Sequence, residues 1–244
     1  MYIIGDIGNT EVKIFLINEK LKKIKKIVLK TNMINNKYLN KKFRHIIKIK
    51  QKIDKIIICS VVPKKYKVID IFFKQKFKRK SKELKKINLE KSIKILANKK
   101  QIGSDRIANA LSVMDKKNNY IIIDFGTATT FDVVKKNYYL GGIIAPGIEL
   151  SLKNLIKKAS LIPKLKFNKL KKVLGKNTKD AVKSGFYWGY IGLINNIIKL
   201  IIKDTKSKYR IILTGGLAHL FMNTIDYKCK IDKDVTLKGL IKLI

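Results

Sequence analysis

Two aspartates far apart in the chain, Asp6 and Asp124, each stand near the end of a short apolar stretch and are followed two residues later by a glycine, Gly8 or Gly126. A carboxylate in that place can hold a cation or its waters. The glycine lets backbone N–H groups come close to phosphate oxygens, and a neighbouring threonine, Thr10 or Thr127, adds a hydroxyl. The chemistry that suits such a turn is the binding of a cation-linked polyphosphate. Taken singly, either turn reads as a plain hairpin corner. Together they are a repeat, because Tyr2, Ile3, Ile4, Asp6, Ile7 and Gly8 fall on Tyr120, Ile121, Ile122, Asp124, Phe125 and Gly126 when one stretch is laid over the other. Lobes facing each other would bring both turns to one cleft, able to clasp a nucleotide's phosphates from either side.

A third acid, Asp105, opens the segment "SDRIANA". At the start of a helix the positive end of the dipole keeps a carboxylate ionised, so it can accept or orient a proton at neutral pH. A helix-terminal carboxylate with a purely structural role is the competing reading. Arg106 beside it is one of four arginines in a chain with 56 basic residues. Its planar fork suits a carboxylate or a phosphate, although a surface ion pair would also use it. Cys59, Cys229, His45 and His219 have no partners at metal-ligand spacing. They offer neither a histidine metal site nor a serine-histidine triad, and the two thiols read as core or near-core groups in a reducing compartment.

The elements that must position these groups can be read from the apolar pattern. Residues 2 to 7 and "EVKIFLI" form a hairpin, and the lysine-rich "LKKIKKIVLK" suits an edge strand guarded against further pairing. "DKIIICSVV" is a buried strand stopped by Pro63, "VIDIFFKQKF" fits a helix or a strand, and residues 74 to 91 are a charge run with little pattern. A helix begins near Ser104 and ends at "DKKNN", the expected lobe boundary. The second half repeats the programme with strands at 120–125, "TFDVV" and "YYLGGII". Helices follow, one with Ile148, Leu152, Leu155, Ile156 and Ala159 on one face, and one from about Thr178 to Lys203. Gly185, Gly189 and Gly192 lie along one side of the latter, which points to something approaching closely, a neighbouring helix first of all. "YRIILTGG" is a last strand, and "VTLKGLIKLI" returns as a final amphipathic element.

A formal net charge of +39 over 244 residues would ordinarily suggest a polyanionic partner. The excess is lysine, accompanied by abundant isoleucine and asparagine, and no recognisable nucleic-acid module or arginine-aromatic platform accompanies it. Solvated lysine faces and an A+T-rich coding sequence account for it. No apolar run approaches the ~18 residues of a membrane span, and Gly5 and Asp6 interrupt the first apolar stretch too early for a signal peptide, so a cytoplasmic protein with no membrane partner is expected.

The blocks "DIGNTEVK", "IGSDRIANA", "IIDFGTATTFDVV", "GGIIAPGIELS", "GKNT", "SGFYWGYIGLI" and "LTGG" resemble, in order and nearly end to end, those of the type III pantothenate kinases, within the acetate and sugar kinase, Hsp70 and actin superfamily. "GSDR" before a helix together with "GTATTFD" is the most discriminating pair. The resemblance implies an α/β fold of two ribonuclease H-like, actin-like lobes, each a mixed five-stranded sheet with flanking helices. Residues 1–117 would carry the first phosphate turn and the pantothenate loop, and 118–244 the second turn and a nucleotide-binding "TGG" near the adenosine end. It implies transfer of the γ-phosphoryl group of ATP to the primary hydroxyl of pantothenate, the first step toward coenzyme A.

By the same resemblance, Asp6, Ile7, Gly8, Asn9, Thr10, Glu11, Val12 and Lys13 would bind ATP, with Asp6 positioning Mg²⁺ and Thr127 facing the phosphates. Asp124 would hold a monovalent cation, K⁺ or NH₄⁺. Asp105 would be the general base, and Gly103, Ser104, Asp105, Arg106 and Thr178 would contact pantothenate, although Thr178 reads equally as a helix N-cap. Homodimers are the family's usual state. Family members often carry a tyrosine and a proline shortly before the "GxDR" block, and "ILANKKQIGSDR" has neither. Competing expectations are another nucleotide-binding member of the fold, such as a switch or a sugar kinase, in which Asp105 would be dispensable, and a basic nucleic-acid-binding regulator, whose binding would weaken steeply with salt.

Overall fold

The computed structural model describes all of residues 1–244, which divide into two compact units. The first comprises Met1–Met114, Asn137–Tyr139 and Asp234–Ile244, and the second Asp115–Lys136 and Leu140–Lys233.

In the first unit β1 (Tyr2–Ile7) and β2 (Glu11–Ile17) form the expected hairpin, with Asp6 opposite Lys13 and Ile7 opposite Val12. β3 (Lys23–Lys30) runs antiparallel to β2 at the sheet edge, where its lysines point to solvent and leave Ile27 and Leu29 buried. The other side of β1 pairs in parallel with β4 (Lys55–Ser60), and β4 in turn with the two-residue β5 (Lys82–Glu83), giving the order β3-β2-β1-β4-β5.

α1 (Asn36–Ile47), capped by the Asn35 side chain accepting from Tyr38 N–H at 2.9 Å, supplies Leu39, Phe43 and Ile46 to the core. The segment that sequence left between helix and strand is α2 (Pro63–Phe77), opened by proline at its first turn and closed by Lys78 in the left-handed region. Its Phe72, Phe73 and Phe77 meet Phe43 edge-on at centroid distances of 5.4 to 6.4 Å. β6 (Lys94–Ile95) pairs in parallel with Tyr138–Tyr139. α3 (Ser104–Val113) is buried along most of its length.

The second unit builds its sheet on β7 (Asn119–Phe125) and β8 (Ala128–Lys135), with β9 (Tyr138–Pro146) beyond β8. On the far side of β7 follow β10 (Arg210–Gly215) and β11 (Cys229–Ile231), both parallel. Two helices flank it, α4 (Ile148–Lys158) and α5 (Thr178–Thr205). Tyr187, Ile194 and Ile198 of α5 are fully buried with Phe125, Phe131 and Phe221, the last from the one-turn helix α6 (Ala218–Phe221). Phe125 and Phe221 stack at 5.0 Å. On α4 only Ile148 and Leu152 of the expected apolar face are fully covered, and Leu155 stays exposed.

Three expectations change. The final element, α7 (Val235–Ile241), belongs to the first unit, where an expected boundary after residue 117 would have left it in the second. Gly239 lies so close to α3 that a Cβ there would sit 1.8 Å from the Ala108 carbonyl oxygen, and Thr236 donates to Asn109 Oδ1 at 2.8 Å. The stripe of Gly185, Gly189 and Gly192 meets nothing of this chain within 4 Å. Finally, α5 is long and apolar enough, by length and composition, to cross a membrane, contrary to the expectation that no such run exists. Its buried face packs on the second sheet, as in the core helix of a folded domain.

Candidate active site

In the first unit the three parallel strands β1, β4 and β5 deliver their C-terminal ends to one edge, the edge at which open α/β sheets place ligands. Asp6 lies between Lys13 on β2 and Cys59 on β4, its direct partners on either side. The Cys59 thiol is fully buried and donates to Asp6 Oδ1 at 3.4 Å. Burial pushes this thiol well above its ordinary pKa, and the charges of Asp6, Asp105 and Glu83 push it further the same way. Cys59 therefore stays protonated, and those three acids all lie within its electrostatic reach.

The turn after Asp6 is closed by Gly8 N–H donating to Glu11 O at 2.9 Å, and is held from the start of the next segment by Thr31. Thr31 Oγ1 donates to Gly8 O at 2.8 Å and its N–H to Thr10 O at 3.0 Å. Asn9, Thr10 and Glu11 are exposed at the tip, while Ile7 and Val12 are fully buried, so only the backbone of those two could serve a ligand.

Asp105 occupies the second position of α3, behind Gly103 as N-cap. A side chain at Gly103 would strike Asp105 Oδ1 at 2.5 Å, so the glycine is the room in which that carboxylate sits. Burial raises the Asp105 pKa, and the Arg106 N–H, which donates to Oδ1 at 2.8 Å, and the Arg106 guanidinium offset only part of the rise. Burial thus outweighs the helix dipole that sequence reasoning emphasised, and the group is a stronger base than an exposed aspartate. Ser104 is buried, and its hydroxyl donates to Glu83 Oε1 in a short hydrogen bond.

In the second unit Asp124 is flanked by Thr130 on β8 and Thr214 on β10. Gly126 N–H donates to Ala128 O at 3.1 Å, a loop one residue shorter than the first. Two glycines crowd this turn. A Cβ on Gly147 would lie 2.0 Å from the Thr127 carbonyl oxygen, and one on Gly215, whose φ of +88° already favours glycine, would lie 2.6 Å from Asp124 Oδ1. Thr127 is exposed at the tip. Thr178 is the first residue of α5 and exposed, but the cap is its neighbour Asn177, whose Oδ1 accepts from Asp180 N–H at 2.9 Å.

The structure thus groups Asp6, Asp105 and the start of α3 within the first unit, and Asp124 with Thr127 within the second. Sequence reasoning missed Glu83 and the contact of Cys59 with Asp6. The only available signal for Glu83 was an acid inside a run of lysines. No cluster of three or more acidic, histidine or cysteine side chains is placed to cage a metal. A Mg²⁺ carried on a triphosphate needs only one or two protein carboxylates, which Asp6 can supply.

Residues 2–200 match the family profile for type III pantothenate kinase. The chain belongs to the type III pantothenate kinase family. A type III pantothenate kinase of Pelagibacter ubique is 54% identical over 242 residues, covering 99% of this chain and 98% of the relative. One of Fusobacterium nucleatum is 35% identical over 254 residues, with 99% and 98% covered.

Among solved structures, a Campylobacter jejuni protein assigned to the Baf family of transcriptional activators gives a TM-score of 0.59 at 23% identity, covering 99% of this chain and 96% of its own. The ADPNP-bound activator of 2-hydroxyisocaproyl-CoA dehydratase from Clostridium difficile gives 0.52 at 11%, with 98% and 91% covered. At these identities the two structures share the fold alone, the two-lobed fold that the family resemblance implied. Family membership removes the ground for preferring a switch, a sugar kinase or a nucleic-acid regulator.

Proposed function

We propose that this chain transfers the γ-phosphoryl group of ATP to the primary hydroxyl of pantothenate. The observation that carries the reading is a buried aspartate of raised pKa, Asp105, at the N-terminus of α3 and in electrostatic range of the same thiol as Asp6, in a chain 54% identical to a type III pantothenate kinase. Phosphoryl transfer needs charge neutralisation, in-line placement and a group that orients the nucleophile. Lys13, paired across the strands with Asp6, offers an ammonium to the phosphates, and Thr10 adds a hydroxyl at the exposed tip. Asp6 holds Mg²⁺, which when bound neutralises the charge that develops on the phosphate oxygens. Asp105 accepts the proton of the pantothenate hydroxyl, while Gly103, the Ser104 main chain, Arg106 and Thr178 contact the rest of the substrate, with the Arg106 fork suited to its carboxylate.

Asp124 takes the monovalent cation, K⁺ or NH₄⁺. The fit is chemical: both its cross-strand neighbours are neutral hydroxyl residues, and Gly215 puts no side chain against its Oδ1. A second copy of the chain packs on the open glycine stripe of α5, a pairing that sedimentation velocity would detect. The lysine surplus is a solvated surface with no specific nucleic-acid partner, and the enzyme works in the cytoplasm.

Steady-state phosphorylation of pantothenate with Mg-ATP, in potassium and in sodium buffer, tests the reading against Asp105→Asn. Potassium-dependent turnover that collapses in the variant is expected, whereas full activity in Asp105→Asn would refute the base assignment. Turnover should fall as the pH is lowered through the raised pKa of Asp105, above the usual aspartate range. The same burial makes the ionised carboxylate costly in the folded state. Asp105→Asn should therefore melt higher at pH 7, and the gain should vanish at pH low enough to protonate the wild-type carboxyl both folded and unfolded.

A further inference from the structure

Acids are scarce in this chain, 17 against 56 lysines and arginines, and Glu83 lies in one of its most basic stretches, "KRKSKELKK". Its carboxylate nevertheless turns toward the protein. Oε2 accepts the Lys85 N–H at 2.8 Å, shaping the single 3-10 turn that follows β5, and Oε1 accepts the Ser104 hydroxyl. Ser104 is 1% exposed and is the first residue of α3, immediately before Asp105. The same turn is tied onward by Lys85, whose Nζ donates to Lys100 O at 2.8 Å in the segment leading to Gly103.

Ordinarily an N-cap side chain would fasten the first turn of such a helix. Gly103 has none, because a side chain there would collide with the Asp105 carboxylate. The Ser104–Glu83 bond supplies the missing anchor from a neighbouring strand, and β5 is itself fixed in register by Ile58 opposite Glu83. A hydroxyl whose only proton is given to a carboxylate, on a side chain with almost no exposed surface, is poorly placed to bind a ligand. The Ser104 main-chain N–H is not involved in that bond.

We propose that Glu83 is a positioning residue for phosphoryl transfer: by holding the Ser104 hydroxyl it fixes the first turn of α3 and the orientation of the Asp105 carboxylate. Ser104 then serves the reaction through this link and not through a side-chain contact with pantothenate. The proposal rests on the reading of Asp105 as the base.

The test is full steady-state kinetics on the intact chain for Glu83→Ala, Ser104→Ala, the double variant, Glu83→Gln and Asp105→Asn, with a melting curve for each. Glu83→Ala and Ser104→Ala should each lower kcat about tenfold while KM for ATP stays within about twofold, since only the placement of the base is disturbed. The double variant should be no worse than either single one, the signature of a shared pathway. Glu83→Gln, whose amide oxygen can still accept from Ser104, should keep at least about a third of wild-type kcat.

Unimpaired kcat in Glu83→Ala beside an inactive Asp105→Asn would overturn this proposal alone, and so would losses that multiply in the double variant. Wild-type kcat in Asp105→Asn would overturn the base assignment and this proposal with it. Should Glu83→Ala fail to fold, Ser104→Ala decides: wild-type kcat there overturns the link, and a tenfold loss with KM for ATP unchanged supports it.

Discussion

Asp6 and Asp124 lie near the ends of equivalent strands in the two halves of a repeat, yet their cross-strand neighbours differ in chemistry. Asp6 has Lys13 and Cys59 as its cross-strand partners, whereas Asp124 has a threonine on each side. Under the proposed function, the first turn pairs its carboxylate with a basic residue suited to a phosphate, while the second pairs its carboxylate with hydroxyl residues suited to a monovalent ion. Mechanical support differs too. Thr31 holds the first turn by two hydrogen bonds, and Gly147 and Gly215 hold the second by close backbone packing. The strand and turn are repeated, and the flanking strands set different residues beside each carboxylate.

The sharpest way to break this contrast is Gly147→Ala. Its methyl would meet the Thr127 carbonyl oxygen at 2.0 Å, a clash of backbone with side chain that no rotamer relieves, so the second turn must move. Turnover should fall about 100-fold. Gly8→Ala, whose Cβ would lie 3.1 Å from Glu11 O, should cost less than about tenfold, and equal losses in the two variants would contradict the proposed asymmetry.

Replacing the acids themselves should separate their roles by a smaller margin. Asp6→Asn should raise KM for Mg-ATP about tenfold and leave the response to potassium intact. Asp124→Asn should abolish the difference between potassium and sodium, read by titrating each cation at saturating ATP. An Asp6→Asn enzyme that loses its cation response would mean that the assignments are reversed. The mildest change, Thr31→Val, removes one hydrogen bond worth about 1 kcal/mol, which should lower Tm by about 2–4 °C and raise KM for ATP about twofold.

Both turns were legible in the sequence because a short apolar strand ending in Asp-x-Gly is a local signal, and its second copy raised it above a chance hairpin. Asp105 was legible for a similar reason, although its raised pKa was not, since burial is a property of the folded chain. α2 resisted assignment because Ile71 is exposed while Phe72 and Phe73 are buried, leaving an apolar run without clean helical period. β5 and β6, at two residues each, are too short to show any period. Glu83 found its purpose in Ser104, 21 positions away, and Cys59 in Asp6, 53 away. Such pairings are set by tertiary structure, and local pattern cannot report them.

The return of α7 to the first unit also has a consequence in time. A ribosome completes Ser104 and Asp105 early, but the helix that seats α3 arrives only with residues 235–241, after the whole second unit. At about 5–20 residues per second, the lobe that carries Asp105 waits on the order of ten seconds for its last piece. During that interval the face of α3 that Gly239 will cover is bare, and chains stalled before residue 235 should be cleaved by protease in the first lobe while the second resists.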